Sequence, residues 1–242
     1  MRTLLDGIGD GLSLIFGGDD EVVRITLQTL RIALEATLFA TLLGVPLGCL
    51  VGLGRFRGRR GVQGLVNAGI RFPPVAVGQL LWIAMWPDSE WGGGPLAGLG
   101  WIYTLNAVIL AQTLLALPIV AALTASAVQS VPPGLLDQAE AFGASWPARA
   151  ALAFREARIG IYAALLAALG TAIASVGAVV VIGPALGDAT LGTAALVEWN
   201  KHLDVARSVA YGTVLLGLFL VLAALLTIAQ QRRTPWLPGR TS

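Results

Sequence analysis

Residues 105–128 read LNAVILAQTLLALPIVAALTASAV and contain no charged side chain. A helix that crosses the hydrocarbon core of a bilayer needs about 20 consecutive, mostly apolar residues, and this stretch supplies them. Upstream, Trp91-Gly-Gly-Gly-Pro95 breaks any helix that would otherwise extend into it. We therefore predict a transmembrane helix at 105–128 and an integral membrane protein around it.

The composition of the 242-residue chain agrees with a membrane protein. Apolar residues make up 56% of the chain and charged residues 12%, which is about half the ~25% of a typical soluble domain. A soluble domain of this length could not bury so much apolar surface. A cytosolic enzyme, a secreted disulfide scaffold and a disordered tail are therefore excluded. The formal net charge of +2 gives no support for a nucleic-acid partner.

The other charge-poor intervals predict four further spans. The five expected spans are residues 32–54, 61–87, 105–128, 159–182 and 206–229. The first tolerates Glu35 near its start, the second contains Arg71, and the fourth is expected to stop at Gly183-Pro184. Glycines at 44, 48 and 52 form two G-x-x-x-G steps that favour close helix packing in the first span.

The fold class predicted from these intervals is an all-α integral membrane protein with about five transmembrane helices. Residues 1–19 are expected to form an N-terminal interfacial segment, because apolar residues recur there near helical spacing. The stretch Leu12–Phe16 is too short for the apolar core of a signal peptide. We expect a transmembrane domain at 20–231 and a cytoplasmic tail at 232–242.

Arginines predict the orientation of the chain, because cytoplasmic loops carry an excess of Lys and Arg. Loop 55–60 holds four arginines, loop 129–158 holds three, and the tail holds three more. In contrast, loop 87–103 has no Lys or Arg and loop 183–205 has only Lys201. The N-terminus is therefore expected outside and the C-terminus in the cytoplasm.

The chain lacks the motifs of common catalytic and nucleotide-binding sites. No G-x-x-x-x-G-K-[ST] sequence occurs, so ATP cannot bind through a P-loop. His202 is the only histidine and Cys49 the only cysteine, so we predict neither a metal site nor a disulfide. We expect no catalytic residue and no cofactor bound to this chain.

The long cytoplasmic segment between the third and fourth spans predicts a short helix that lies across the mouth of the bundle. Pro132-Pro133-Gly134 punctuates its start, and Pro133 suits a first helical turn. Residues 135–142 then read as two helical turns, with the apolar and acidic side chains on different faces. Gly143 fits the position after the helix end. Ser145 and Pro147 suit the start of a second helix.

This segment resembles the E-A-A-x-x-x-G coupling motif of ABC-transporter permeases. Asp137-Gln138-Ala139-Glu140-Ala141-Phe142-Gly143 places the glycine six residues after the acid, as the motif does. Asp137 stands where Glu is usual, and the I-x-L-P that often ends the motif is missing. The resemblance implies that the 133–146 loop couples the chain to an ATPase. The implied coupling residues are Leu135, Asp137, Ala139, Glu140, Phe142 and Gly143.

Four further runs are similar, in the same order, to the tungstate-type oxyanion permeases. These runs are 72–78, 111–120, 155–161 and 175–178, so the resemblance covers about residues 20–230. It implies a homodimer of permeases in a bacterial or archaeal plasma membrane, with two cytoplasmic ATP-binding subunits that carry ATP and Mg²⁺. It also implies an external substrate-binding protein, which would dock at the outer mouth near Trp199 and Asp188.

Arg71 is the first candidate for the substrate pathway. It lies ten residues beyond Gly61, roughly 15 Å into the membrane at a helical rise of ~1.5 Å per residue. Pro73-Pro74 should bend or break the helix beside it, and broken helices are tolerated where the backbone lines a cavity. Alternatively, Arg71 pairs with a carbonyl or an acid, or lies near the cytoplasmic surface. The other pathway candidates are Gln79, Asn106, Gln112 and Ser175.

The sequence leaves the cargo and one other class of function open. Molybdate and sulfate permeases share the architecture implied by the resemblance, so tungstate rests on similarity alone. A membrane scaffold or a channel without an ATPase would also have five spans. The coupling loop favours the permease, because a scaffold has no need for an acid–Ala–Gly helix between two proline breaks. An intramembrane enzyme would need a nucleophile or paired acids within the spans.

Overall fold

The computed structural model describes residues 4–54, 56–87, 93–184 and 190–231, and the regular elements in these ranges are helical. The α-helices are α1 (Leu4–Phe16), α2 (Asp20–Leu53), α3 (Arg59–Gly69), α4 (Pro74–Met85), α5 (Leu105–Gln129), α6 (Pro133–Ala141), α7 (Trp146–Ala174), α8 (Gly177–Ile182), α9 (Leu191–Val197) and α10 (Val205–Gln231). Short turns at Ala97–Leu99 and Glu198–His202 are 3₁₀- and π-helical. The predicted tail at 232–242 and Arg55 lie outside the described ranges.

Four helices are long and apolar enough to cross a membrane: α2, α5, α7 and α10. A fifth span is possible if α3 and α4 count as one span that bends by 103°. The predicted all-α membrane fold with about five spans is confirmed over the described ranges. As labels, after the orientation expected from the arginines, we call the end of the bundle with residues 56–58 and α6 the inner end, and the end with residues 93–104 and α9 the outer end.

The first span starts earlier than predicted. α2 begins at Asp20 rather than Ile32, because Asp19 caps it and accepts hydrogen bonds from two first-turn amides at 3.1 Å. The charges that suggested a later start do not interrupt the helix. Arg31 Nε donates to Glu35 Oε1 one turn away at 2.7 Å, so the two charges partly neutralise each other.

The predicted N-terminal helix is present as α1, and it lies against the start of α10. A Cβ added at Gly11 would lie 2.7 Å from the carbonyl oxygen of Ala206, so the two backbones touch at this glycine. Leu14 and Ile15 pack on a buried group that includes Tyr211. The helix is therefore part of the bundle at its outer end.

The glycines of α2 bring that helix into direct contact with α5. A Cβ added at Gly48 would lie 2.6 Å from both the carbonyl oxygen of Ala121 and the Cβ of Thr124. At Gly44 the added atom would lie 2.9 Å from the Cβ of Val120. The close helix packing predicted from the G-x-x-x-G spacing is confirmed, because only glycine leaves room for the two backbones to meet.

Gly48→Ala is therefore expected to separate α2 from α5 and destabilise the bundle. Overpacking a tight contact costs about 1–3 kcal/mol, so the melting midpoint of the protein in detergent should fall clearly. Gly9→Ala is the control, because a Cβ at Gly9 meets nothing within 4 Å. Equal melting midpoints for Gly48→Ala and the wild type would contradict this packing.

Candidate functional site

The first half of the candidate pathway is the break between α3 and α4. The helix stops at Gly69, and the amides of Arg71 and Phe72 close a turn onto the carbonyls of Ala68 and Gly69 at 3.0 and 3.2 Å. α4 then restarts at Pro74, which needs no amide partner in the first helical turn. The break predicted from the two prolines is confirmed, and it places Arg71 in the turn.

A second break, between α7 and α8, was not expected. The sequence predicts one continuous span at 159–182, which is wrong: α7 starts at Trp146 and ends at Ala174, and α8 is a separate short helix. Gln112 on α5 supplies a partner at the break, because its Nε2 donates to the carbonyl oxygen of Ser175 at 3.3 Å. A side chain thus satisfies a backbone group that the helix leaves free.

The two breaks lie against each other. A Cβ added at Gly78 would lie 3.0 Å from both the Cα and the carbonyl oxygen of Ala178, and one at Gly177 would lie 2.9 Å from a methyl of Val75. These distances leave no space for a larger residue at either glycine. α4 and α8 therefore pack backbone to backbone, which holds the two interrupted spans together.

A cavity of about 670 Å³ opens beside the paired breaks. It brings together two of the predicted pathway residues, Arg71 and Ser175, with apolar side chains of α7 and α10 such as Phe219 and Leu226. Arg71 is exposed and forms no ion pair within the described ranges. A cation without a counterion thus lies at the wall of a largely apolar cavity.

Two buried polar side chains at this place keep unused hydrogen-bonding capacity. Gln112 is 1% exposed and Ser175 is 8% exposed. The Oε1 of Gln112 and the Oγ of Ser175 have no hydrogen-bond partner in the described part of the chain. Buried polar atoms usually find a partner, so their lack of one calls for a ligand, water or motion as the explanation.

The other two candidates lie elsewhere. Gln79 is exposed on the second turn of α4, and Asn106 is exposed at the start of α5. Neither lines the cavity beside Arg71. The structure therefore joins Arg71, Gln112 and Ser175 into one site and leaves Gln79 and Asn106 outside it.

The predicted loop helix is α6, and its end has the geometry that the sequence suggests. Gly143 has φ +82°, and its amide donates to the carbonyl of Glu140 at 2.9 Å. The amide of Ala144 reaches the carbonyl of Ala139, also at 2.9 Å. This pair of bonds is the Schellman motif, which requires a left-handed residue at the glycine position.

α6 is held loosely on the rest of the protein. None of its residues is buried, and only Leu135 and Leu136 pack on the core of α5 and α7. Asp137 is exposed, and Phe142, which follows the helix, is 91% exposed and does not pack on the bundle beside Leu135. The helix thus presents acidic and aromatic side chains away from the bundle.

Arg149 is a contact of this helix that the sequence did not reveal. It lies on the first turns of α7 and forms an ion pair with Glu140 of α6. The two residues are nine positions apart and separated by the turn at Gly143, so no helical spacing links them. The loop contains three arginines, and nothing in the sequence distinguishes Arg149 from the other two.

At the outer end, Trp199 is 52% exposed in the π-helical turn after α9. Asp188, the other expected docking position, lies outside the described ranges.

Comparisons with known proteins place this geometry in a family. The family model described as "Binding-protein-dependent transport system inner membrane component" matches residues 44–235. A probable anion ABC transporter permease protein of Haloferax volcanii is 38% identical over 226 residues, which are 90% of this chain and 94% of the relative. The tungstate uptake system permease protein TupB of Campylobacter jejuni is 30% identical, over 88% of this chain and 87% of the relative.

Solved structures share the fold. A chain of the inward-facing MetNI methionine ABC transporter superposes with a TM-score of 0.69 at 21% identity, over 88% of this chain and 94% of that chain. A bacterial ABC transporter involved in the import of the acidic polysaccharide alginate gives 0.70 at 17% identity, over 94% and 89%. The resemblance to ABC-transporter permeases is thereby confirmed. The chain belongs to the family of binding-protein-dependent transport system inner membrane components, the permease subunits of ABC transporters.

Proposed function

We propose that this chain is the permease subunit of an ATP-driven importer for an oxyanion, with tungstate as the foremost cargo. The observation that carries the proposal is Arg71, which forms no ion pair with the described part of the chain and lines the cavity beside two broken spans. Relatives named for anion and tungstate transport match most of the chain, which supports the same class of cargo. Molybdate and sulfate have the same tetrahedral form and charge, and they are the alternatives within this class.

In this proposal Arg71 acts as a fixed cation in the pathway. A mid-bilayer arginine costs about 2.5–3.5 kcal/mol on insertion scales, so it should face water or the bundle interior rather than lipid. A passing oxyanion would regain there part of the Coulomb and hydrogen-bond energy that it loses with its hydration shell. The hydroxyl of Ser175 can add a donor, and Gln112 holds the backbone that positions it.

Gln79 and Asn106 are proposed to line a different part of the pathway, nearer its outer entry. Both are exposed on the single chain, on helices that reach the outer end. A second permease copy beside this chain would place their amides at the entry of a shared pathway. Amide donors suit a hydrated oxyanion without binding it tightly.

Further subunits complete the transporter that we propose. Two copies of this chain form the membrane part, and α6 of each docks on one of two cytoplasmic ATP-binding subunits that bind ATP and Mg²⁺. An external substrate-binding protein delivers the oxyanion at the outer end, near Trp199. The N-terminus then lies outside and the C-terminus in the cytoplasm of a bacterial or archaeal cell.

The test is uptake by the whole complex, purified from native membranes through a tag on this chain and reconstituted in proteoliposomes. An ATPase subunit should copurify, and ATP should drive uptake of tungstate in preference to molybdate and sulfate. Methionine serves as the control cargo, because a MetNI transporter shares the fold. Uptake of methionine without any oxyanion, or purification without an ATPase, would refute the proposal.

A further inference from the structure

α3 carries a polar face that neither the packing of the chain nor the cavity described above accounts for. The helix buries Val66 and Gly69 against α5, and a Cβ added at Gly69 would lie 2.8 Å from Pro118. Arg60 and Asn67 are exposed and lie seven positions apart. With 3.6 residues per turn, this spacing puts them on one side of the helix, turned away from the buried residues.

The same side leads to Arg71, four positions beyond Asn67 in the turn that follows α3. Gly64 lies between these polar side chains, and a Cβ added at Gly61 or Gly64 would meet nothing within 4 Å. We call Arg60, Gly64, Asn67 and Arg71 the polar face of α3. It is a strip about 16 Å long at ~1.5 Å per residue, with a cation at each end and an amide between them.

The neighbouring Arg59 shows that the arginines of this segment do not all have the same role. Its Nε donates to the carbonyl of Val51 at 2.8 Å, and a second nitrogen reaches the carbonyl of Gly52 at 3.2 Å. Arg59 therefore completes the end of α2 and points into the protein. Arg60 forms no ion pair within the described ranges, so its charge is free on the polar face.

A cavity lies at each end of the polar face. The inner one, of about 500 Å³, is lined by Phe56 and Gln63 and by both Arg59 and Arg60. The other is the cavity of Arg71 and Ser175 beside the breaks. If α3 and α4 count as one bent span, a face with two arginines and an amide cannot lie in hydrocarbon without a large cost.

We propose that the polar face of α3 lines the inner half of the oxyanion route, with Arg60 and Asn67 as binding residues between the break and the inner end. The inference rests on the proposed function, since it assigns the route by which the same cargo leaves. The spaced cations attract the anion at both ends, and Gly64 between them adds no side chain that would obstruct it. A neutral amide midway offers donors without trapping the charge.

A charge series at Asn67 tests the role of this face in the reconstituted complex. Asn67→Asp is expected to reduce oxyanion uptake at least about tenfold relative to Asn67→Lys, because the sign of the charge decides whether an anion passes. Asn67→Leu should fall between them. Ala151→Asp and Ala151→Lys are the matched controls, since Ala151 is exposed near the inner end of α7 and lines neither cavity. Equal uptake by all three Asn67 variants would overturn the inference.

Thiol labelling tests whether water reaches the same face, and it does not require transport. Cys49 is the only cysteine, so Cys49→Ala gives a background for Asn67→Cys and for Leu65→Cys, a control that is 68% exposed on another side of α3. We expect a charged thiol reagent to modify Asn67→Cys faster than Leu65→Cys, and tungstate to slow that modification. An Asn67→Cys that does not react with the charged reagent would show that lipid or a partner covers this face, and it would overturn the inference.

The two experiments separate failure of this inference from failure of the proposed function. If the wild-type complex imports an oxyanion and Asn67 is insensitive to charge, the function stands and the route lies elsewhere. If no oxyanion is imported, the proposed function fails, while the labelling still decides whether the face is aqueous.

Discussion

Replacing Gly143 with valine is expected to reduce uptake at least about tenfold while the chain still inserts and folds. Gly143 has φ +82° at the end of α6, and left-handed backbone costs an L-residue roughly 1–2 kcal/mol, with more for a β-branched side chain. A penalty of about 1.4 kcal/mol lowers the equilibrium constant for the native turn about tenfold. The angle between α6 and α7 then changes, and α6 no longer docks on the ATPase.

A second substitution at Gly143, to asparagine, serves as the control. A Cβ there would meet nothing within 4 Å, so steric clash does not contribute and only the backbone conformation matters. Asparagine tolerates left-handed backbone, so Gly143→Asn should keep most of the uptake. The measurement is uptake by complexes normalised to the amount of copurified ATPase. Normal uptake and normal ATPase association by Gly143→Val would refute the docking role of α6.

The second large effect is expected at Arg71. Arg71→Gln removes the cation from the wall of the cavity beside the breaks and should reduce oxyanion uptake at least about tenfold. Arg71→Lys should retain more uptake, because a passing anion responds to charge more than to the forked geometry of a guanidinium. Both variants keep a polar side chain, so assembly is expected to persist.

The comparison requires a second arginine that lies outside the proposed pathway. Arg155 is exposed on α7 and forms no ion pair within the described ranges, so Arg155→Gln makes the same change in net charge. We expect it to transport like the wild type. The measurement is the initial rate of uptake with the assembled complex verified by size. Equal, near-normal rates for Arg71→Gln and Arg71→Lys would remove Arg71 from the pathway.

The sequence by itself determined the features that depend on local chemistry. Long charge-free runs predict spans because a bilayer demands length and apolarity from each helix separately. Pro73-Pro74 predicts a break because proline lacks an amide hydrogen, and the structure places a 103° bend there. The turn at Gly143 follows from the one residue that adopts positive φ without strain.

Only the tertiary structure decided which residues meet. Ser175-Val176 contains no proline, and Gln112 donates to the carbonyl of Ser175 at this break from another helix, 63 positions away. The ion pair of Arg149 with Glu140 likewise arises from how α6 folds back on α7. Such contacts have no period in the sequence, because they depend on the relative placement of helices. For the same reason, the cavity shared by Arg71 and Ser175 became visible only when the two broken spans were packed together.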